Sequence, residues 1–218
     1  MLDTGIKERL CAAVDDGFEA QLAFTSDLVK FASTRGNERG VQDCMADRLA
    51  AIGYEVDHWR ISDEEIRDHP GYSPLTRDLD QAFNTVGVLP CESPVGRSLI
   101  INGHVDTVPA GPEEMWTRPP IEPVIDSGWM YCSAAGDMKS GLVAGLFAID
   151  AIRAAGFRPG AEICVQFVIE QESTGAGTLA CLQRGYSADL DVSRFDAAPI
   201  SHLSGFSFVG QGAFPAQC

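Results

Sequence analysis

Three short polar clusters carry the residue types from which a metal centre is built: His104-Val105-Asp106, Gly136-Asp137-Met138-Lys139 and Glu170-Gln171-Glu172. Imidazole and carboxylate are donors that Zn²⁺ takes, and the i, i+2 spacing of His104 and Asp106 lets the acid orient the imidazole from behind. Taken singly, each cluster has a plainer account. A histidine after a strand is more often structural than a ligand, and a carboxylate at a helix start is usually an N-cap. Lys139 reads as a surface charge at a helix terminus and Trp116 as a packing residue. The Cys132 thiol would join a metal only as thiolate. What points to a metal is the three clusters together.

The elements that must position these clusters are legible from hydrophobic period. Apolar residues at helical spacing run from Leu10 to Phe31 and again from Val41 to Ile52, where Gly53 ends the second helix. Tyr54 to Ile61 alternates as a strand, Ser62 to Ala82 is a polar loop, and Asn84 to Leu89 resumes as strand. Leu99-Ile100-Ile101 suits a strand buried on both faces, and it runs directly into Gly103 and His104. Two short extended pieces follow near Pro123 to Ile125 and Trp129 to Tyr131. Then come a small-residue helix from Met138 to Ala155, a strong strand from Glu162 to Ile169 and a helical segment from Thr178 to Arg184. Strand and helix alternate, so the fold class is α/β, with helices packed on a largely parallel, mixed sheet and reactive groups collected at strand C-terminal ends.

The order and joint occurrence of several motifs resemble the M20 metallopeptidases and deacylases, a family that includes acetylornithine deacetylase, succinyl-diaminopimelate desuccinylase and aminoacylases. The stretches that carry the resemblance are Asn102-Gly103-His104-Val105-Asp106-Thr107-Val108-Pro109, Trp116 with Pro119 and Pro120, Asp137-Met138-Lys139-Ser140-Gly141, and Glu170 to Thr178. The loop His69-Pro70-Gly71-Tyr72-Ser73-Pro74 looks most like the acetylornithine deacetylase branch. The resemblance implies a zinc-hydrolase-like catalytic domain with two Zn²⁺ sites, in which Co²⁺ can substitute. His104 would bind one metal, Asp137 bridge both and Glu172 bind the other, while Asp106 orients His104. The implied reaction is hydrolysis of an N-acyl amino acid or related small amide by a metal-activated water.

Three departures from the family pattern stand out. The general base would be the residue before the metal-binding glutamate, and this position is Gln171, whose amide offers no basic lone pair. Neighbouring Glu170 is aimed elsewhere if Gln171 and Glu172 take their family positions. Relatives show Gly-Arg-Gly after the aromatic residue where this chain reads Tyr131-Cys132-Ser133-Ala134, so Cys132 and Ala134 would be strained if those positions hold positive φ. Relatives also place a further carboxylate ligand a little after Asp189 and a histidine much later. Asp196 is the residue here that would stand in for the first, and His202 lacks the family's local context. The expected organisation is a partial catalytic domain over 1–189, without the family's dimerisation domain, and an atypical tail over 190–218. With three ligands and one of them bridging, each metal would have two protein donors, fewer than the three that catalytic zinc keeps.

A non-catalytic, truncated family member is the competing reading, and Gln171 favours it. A more remote one is a dinucleotide-binding protein, because Gly175-Ala176-Gly177-Thr178-Leu179-Ala180 matches G-x-G-x-x-G/A, although Glu170 and Glu172 beside that turn would repel a pyrophosphate. Composition narrows the remaining classes. With 31 acidic and 16 basic residues the net charge is −15, and no basic block occurs, which argues against nucleic acid and against a basic membrane-surface helix. The chain opens with Asp3, Lys7, Glu8 and Arg9 rather than an apolar run, so a cytoplasmic location is expected. Seven cysteines without a Cys-x-x-Cys pair suit reduced thiols.

Overall fold

The computed structural model describes residues 3–186 and 213–215. Helix α1 (Thr4–Leu28) starts where the Asp3 carboxylate accepts from the Gly5 and Ile6 amides, and α2 (Arg39–Ala51) stops at Gly53, whose φ of +89° only glycine adopts freely. Strand β1 (Glu55–Arg60) leads through a loop holding the short helix α3 (Asp63–Ile66) to β2 (Phe83–Leu89), and β3 (Leu99–His104) follows. A hairpin of β4 (Val124–Asp126) and β5 (Trp129–Tyr131) precedes α4 (Ser140–Ala154), β6 (Ile163–Val168) and α5 (Ala176–Gln183). From the tail, β7 (Ala213–Pro215) pairs antiparallel with β5.

The main sheet has the order β1-β2-β6-β3 and is mixed. A mixed sheet is what the sequence led us to expect, but its largely parallel character needs correcting: among the described strands β1–β2 and β2–β6 are antiparallel and only β3–β6 is parallel. Its cause lies in the connections, because no long crossover helix separates β1 from β2. Helices cover both faces. Gly87 meets Leu49 of α2 and Gly103 meets Leu142 of α4 on one side, while Asn84 reaches Gly177 and Cys181 of α5 on the other. Continuous burial belongs to β6, all six of whose residues are buried, whereas β3, with β6 as its one neighbour among the described strands, is only partly so.

The parallel pair builds the site. His104 lies opposite Val168 in the register, so the C-terminal ends of β3 and β6 deliver His104-Val105-Asp106 and Glu170-Gln171-Glu172 side by side. Gly103 brings in the third cluster: a Cβ there would fall 2.5 Å from Leu142 Cδ2 and 2.8 Å from Met138 Cε. Without a side chain at that position, the turn Ala135–Lys139 that opens α4 can settle on the end of β3, with Asp137 in extended backbone and the Asp137–Met138 peptide cis. No helix among the described residues is long and apolar enough to cross a membrane.

Candidate metal centre

His104, Asp137 and Glu172 each present one ligand atom, and the three atoms lie within 4.8 Å of one another. They come from three separate segments: the end of β3, the turn before α4 and the turn after β6. His104 is buried, whereas the Asp137 and Glu172 side chains face solvent. The ring is oriented by Asp106, whose backbone carbonyl lies 2.8 Å from His104 Nδ1 and whose Oδ1 lies 3.5 Å away. Asp106 Oδ2 accepts the Glu172 amide at 3.0 Å, which ties the third segment to the first. Asp106 Oδ1 is buried without a hydrogen bond of its own.

This arrangement has room for a positive charge, as a proton or as a metal. With Nδ1–H donating to the Asp106 carbonyl, the lone pair of Nε2 faces Asp137 Oδ1 at 3.1 Å, and two acceptors at that distance need a proton or a metal between them. The charges agree. Burial opposes an imidazolium at His104, but the Asp106 and Asp137 carboxylates outweigh it and push the ring up to about 10. The hydrogen bond from His104 holds the Asp137 carboxyl below its usual range against the effect of burial. Glu172 is pushed upward by burial and by the repulsion of Asp137. One imidazole nitrogen and carboxylate oxygens form a donor set that Zn²⁺ accepts, so the residues present fit the metal. Asp196 and His202 lie outside the described residues.

Several neighbours are not where their types suggested. Lys139, expected as a surface charge, is fully buried; its Nζ donates to the Phe31 carbonyl at 2.6 Å, and burial pulls its pKa down to about 8. Glu170 is likewise fully buried, with φ +66°, and binds Arg35 Nε and Nη2 at 2.9 Å each and Arg77 Nη1 at 2.9 Å. The hydroxyls of Ser173 and Thr174 donate to the same carboxylate at 2.8 and 3.0 Å, and Arg77 also pairs with buried Glu38. Breaking such a buried pair by removing one partner costs about 3–5 kcal/mol. Of the two positions expected to be strained, Ala134 is left-handed at φ +65° while Cys132 is not. Burial raises the Cys132 thiol to about 11, and it donates to the Pro120 carbonyl instead of joining the cluster. Trp116 donates its indole N–H to the Ala110 carbonyl at 2.8 Å.

An open groove of about 280 Å³ lies between the segments that carry Asp106 and Asp137, lined among others by Phe31, Thr107, Val108, Ile121 and Ser133. The dinucleotide-like glycines have roles in backbone conformation and packing. Gly175 begins α5 at φ +70°, and a Cβ on Gly177 would lie 2.3 Å from the Ile169 carbonyl oxygen. The six described cysteines are free thiols.

Residues 100–209 match the family model described as peptidase family M20/M25/M40. A N-formyl-4-amino-5-aminomethyl-2-methylpyrimidine deformylase of Bacillus subtilis is 33% identical over 203 residues, which cover 91% of this chain and 42% of that protein. A succinyl-diaminopimelate desuccinylase of Burkholderia ambifaria is 34% identical over 159 residues, covering 73% of this chain and 37% of that one. In fold, the chain resembles human carnosine dipeptidase 1 with a TM-score of 0.65 at 18% identity, over 88% of this chain and 38% of the other. The chain thus spans less than half the length of these relatives.

Proposed function

As the chain belongs to peptidase family M20/M25/M40, we propose that His104, Asp137 and Glu172 hold a divalent cation, zinc in the first instance, at the centre of a hydrolase acting on small linear amides such as N-acyl amino acids. The observation that carries this reading is the convergence of three ligand atoms within 4.8 Å from three different segments. A second cation site would need further donors, and Asp196 is the candidate this sequence offers. A groove of about 280 Å³ lined by the residues that follow Asp106 and precede Asp137, Thr107 to Gly111 with Ser133 and Ala134, has room for a small acyl group. A divalent cation bound there supplies polarisation of the substrate carbonyl and a lowered pKa for water.

The chain's own residues do the rest. Asp106 holds the imidazole by its carbonyl at 2.8 Å and fixes the Glu172 amide by its carboxylate at 3.0 Å. Proton movement is the weak point. Gln171 occupies the base position with an amide that accepts no proton, and Glu170 is committed to two guanidinium groups and two hydroxyls. That commitment favours a second reading, in which the chain binds metal and amide without turning substrate over at a useful rate.

The test is hydrolysis of a panel of N-acyl amino acids with added Zn²⁺ or Co²⁺ by the chain and by Gln171→Glu. A restored base raises the rate about 10²- to 10⁴-fold. Equal turnover by the two forms would show that another group moves the proton. Inactivity of both, with Zn²⁺ bound and the fold intact, would support the non-catalytic reading.

A further inference from the structure

Between α1 and α2 runs a short irregular segment, Phe31–Arg35, that touches all three ligand-bearing segments at once. Its first residue accepts the buried Lys139 ammonium at the Phe31 carbonyl, 2.6 Å away, two positions beyond Asp137. Its centre grips the end of β3: the fully buried Ser33 donates its hydroxyl to the Val105 carbonyl at 2.6 Å and accepts the Thr107 amide at its own carbonyl at 3.0 Å. Thr34 and Thr107 form a parallel bridge. Its last residue holds the third segment, because Arg35 is bidentate to Glu170, both bonds at 2.9 Å. Glu170 in turn is the pivot of the turn that presents Glu172. Its carbonyl accepts the amides of Ser173, Thr174 and Gly175, and its carboxylate accepts two hydroxyls from the same turn.

We propose that Phe31–Arg35 is a positioning strap that sets His104, Asp137 and Glu172 in mutual register, with Ser33 and Arg35 on the strap, and Lys139 gripping it from the Asp137 segment, as positioning residues. The inference rests on the metal-binding reading for its consequence but not for its geometry. Three ligands on three segments have three relative positions to fix. The direct ties among them, Asp106 to Glu172 and His104 to Asp137, run through the ligand groups or their immediate neighbours. The strap supplies a second set of ties that bypass the ligands, and all of these are buried or partly buried. Partners bonded directly to a ligand are worth about 10- to 100-fold in metal affinity, and the strap's ties, which act one residue further out, fall at the lower end of that range.

The test compares Arg35→Met and Lys139→Met with Arg184→Met, which removes an ion pair to Asp57 remote from the cluster. Arg77 still binds Glu170 in Arg35→Met, so that variant keeps the carboxylate paired. Zn²⁺ affinity is read by competition with a chromogenic chelator, Co²⁺ coordination by its visible absorption, and folding by circular dichroism. The strap variants should lose about 10-fold in Zn²⁺ affinity and change the Co²⁺ spectrum, with Arg184→Met unchanged in both. Loss of thermal stability in all three variants with Zn²⁺ affinity unmoved would overturn the proposal. A second arm needs no metal: in the metal-free chain, Lys139→Met should shift the Glu172 amide resonance and Arg35→Met the His104 ring nitrogens. If the wild type takes up no Zn²⁺, the metal reading falls, and the strap stands if those cross-segment shifts occur and falls if they do not.

Discussion

At the scale of single residues, the candidate site combines what its amino-acid types announce with what only packing decides. The imidazole and carboxylates of His104, Asp137 and Glu172 are legible because their chemistry is written in their types and their spacing after apolar segments. Burial is not written there. Lys139 carries a charge and follows a metal-type carboxylate, yet it is sealed between the start of α4 and the Phe31 carbonyl. Glu170 is aimed away from the base position, as its neighbours imply, but what it is aimed at is not legible: it is the centre of an ion-pair network whose arginines lie 93 and 135 positions earlier in the chain. Pairings at such separations leave no local period to read. Ala134 is intermediate: the contrast with the glycine of relatives marked it, and its φ of +65° and ψ of −1° place it in the left-handed region. That conformation costs an L-residue roughly 1–2 kcal/mol. Glycine there loses about 0.4–1 kcal/mol to the freedom of the unfolded chain. Ala134→Gly should therefore stabilise the fold by up to about 1.6 kcal/mol, read as a raised urea midpoint at constant slope. A lowered midpoint would mean that the Ala134 methyl packs well enough to offset its backbone.

Among the elements, the positions and types of helices and strands follow from period and punctuation, whereas the direction of strand pairing does not. A strand's own residues do not encode whether its neighbour runs with it, and the connection between β1 and β2, read as loop, allows the antiparallel choice. Glycines show where elements approach most closely. At Gly177 a Cβ would meet the Ile169 carbonyl oxygen at 2.3 Å and the Ile169 nitrogen at 2.7 Å, backbone atoms that no rotamer change can move aside. Gly177→Ala should then cost more than the usual 1–3 kcal/mol of overpacking, because helix α5 must shift off the end of β6. The shift would pass directly into the Glu170–Glu172 turn that lies between these elements. Circular dichroism melts check the first effect and loss of Zn²⁺ affinity the second. Unchanged stability would show that α5 has slack against the sheet, and the glycine would then have no packing explanation.

For the whole molecule, charge is the property that organises the remaining behaviour. A net charge of −15 repels itself in the compact state, and salt relieves that repulsion, since the Debye length falls from about 10 Å at 0.1 M to about 3 Å at 1 M. Any divalent cation will also relieve it by diffuse association with the acidic surface, so stabilisation by zinc at low salt is not by itself a sign of a site. The cluster makes a different demand. A cation held between buried His104 and the two carboxylates is bound by coordination to an imidazole nitrogen, which simple screening does not abolish. Mass action then gives about 2.7 kcal/mol of stabilisation at a zinc concentration a hundred times its dissociation constant. The expected outcome is that Mg²⁺ and Zn²⁺ both raise the melting temperature at low ionic strength. In 0.5 M NaCl the Mg²⁺ increment vanishes while the Zn²⁺ increment persists, and it is reversed by a chelator. Arg35→Met should shrink that persistent increment if the strap sets the ligands. Equal loss of both increments in salt would assign the metal response to surface charge and count against a built centre at His104, Asp137 and Glu172.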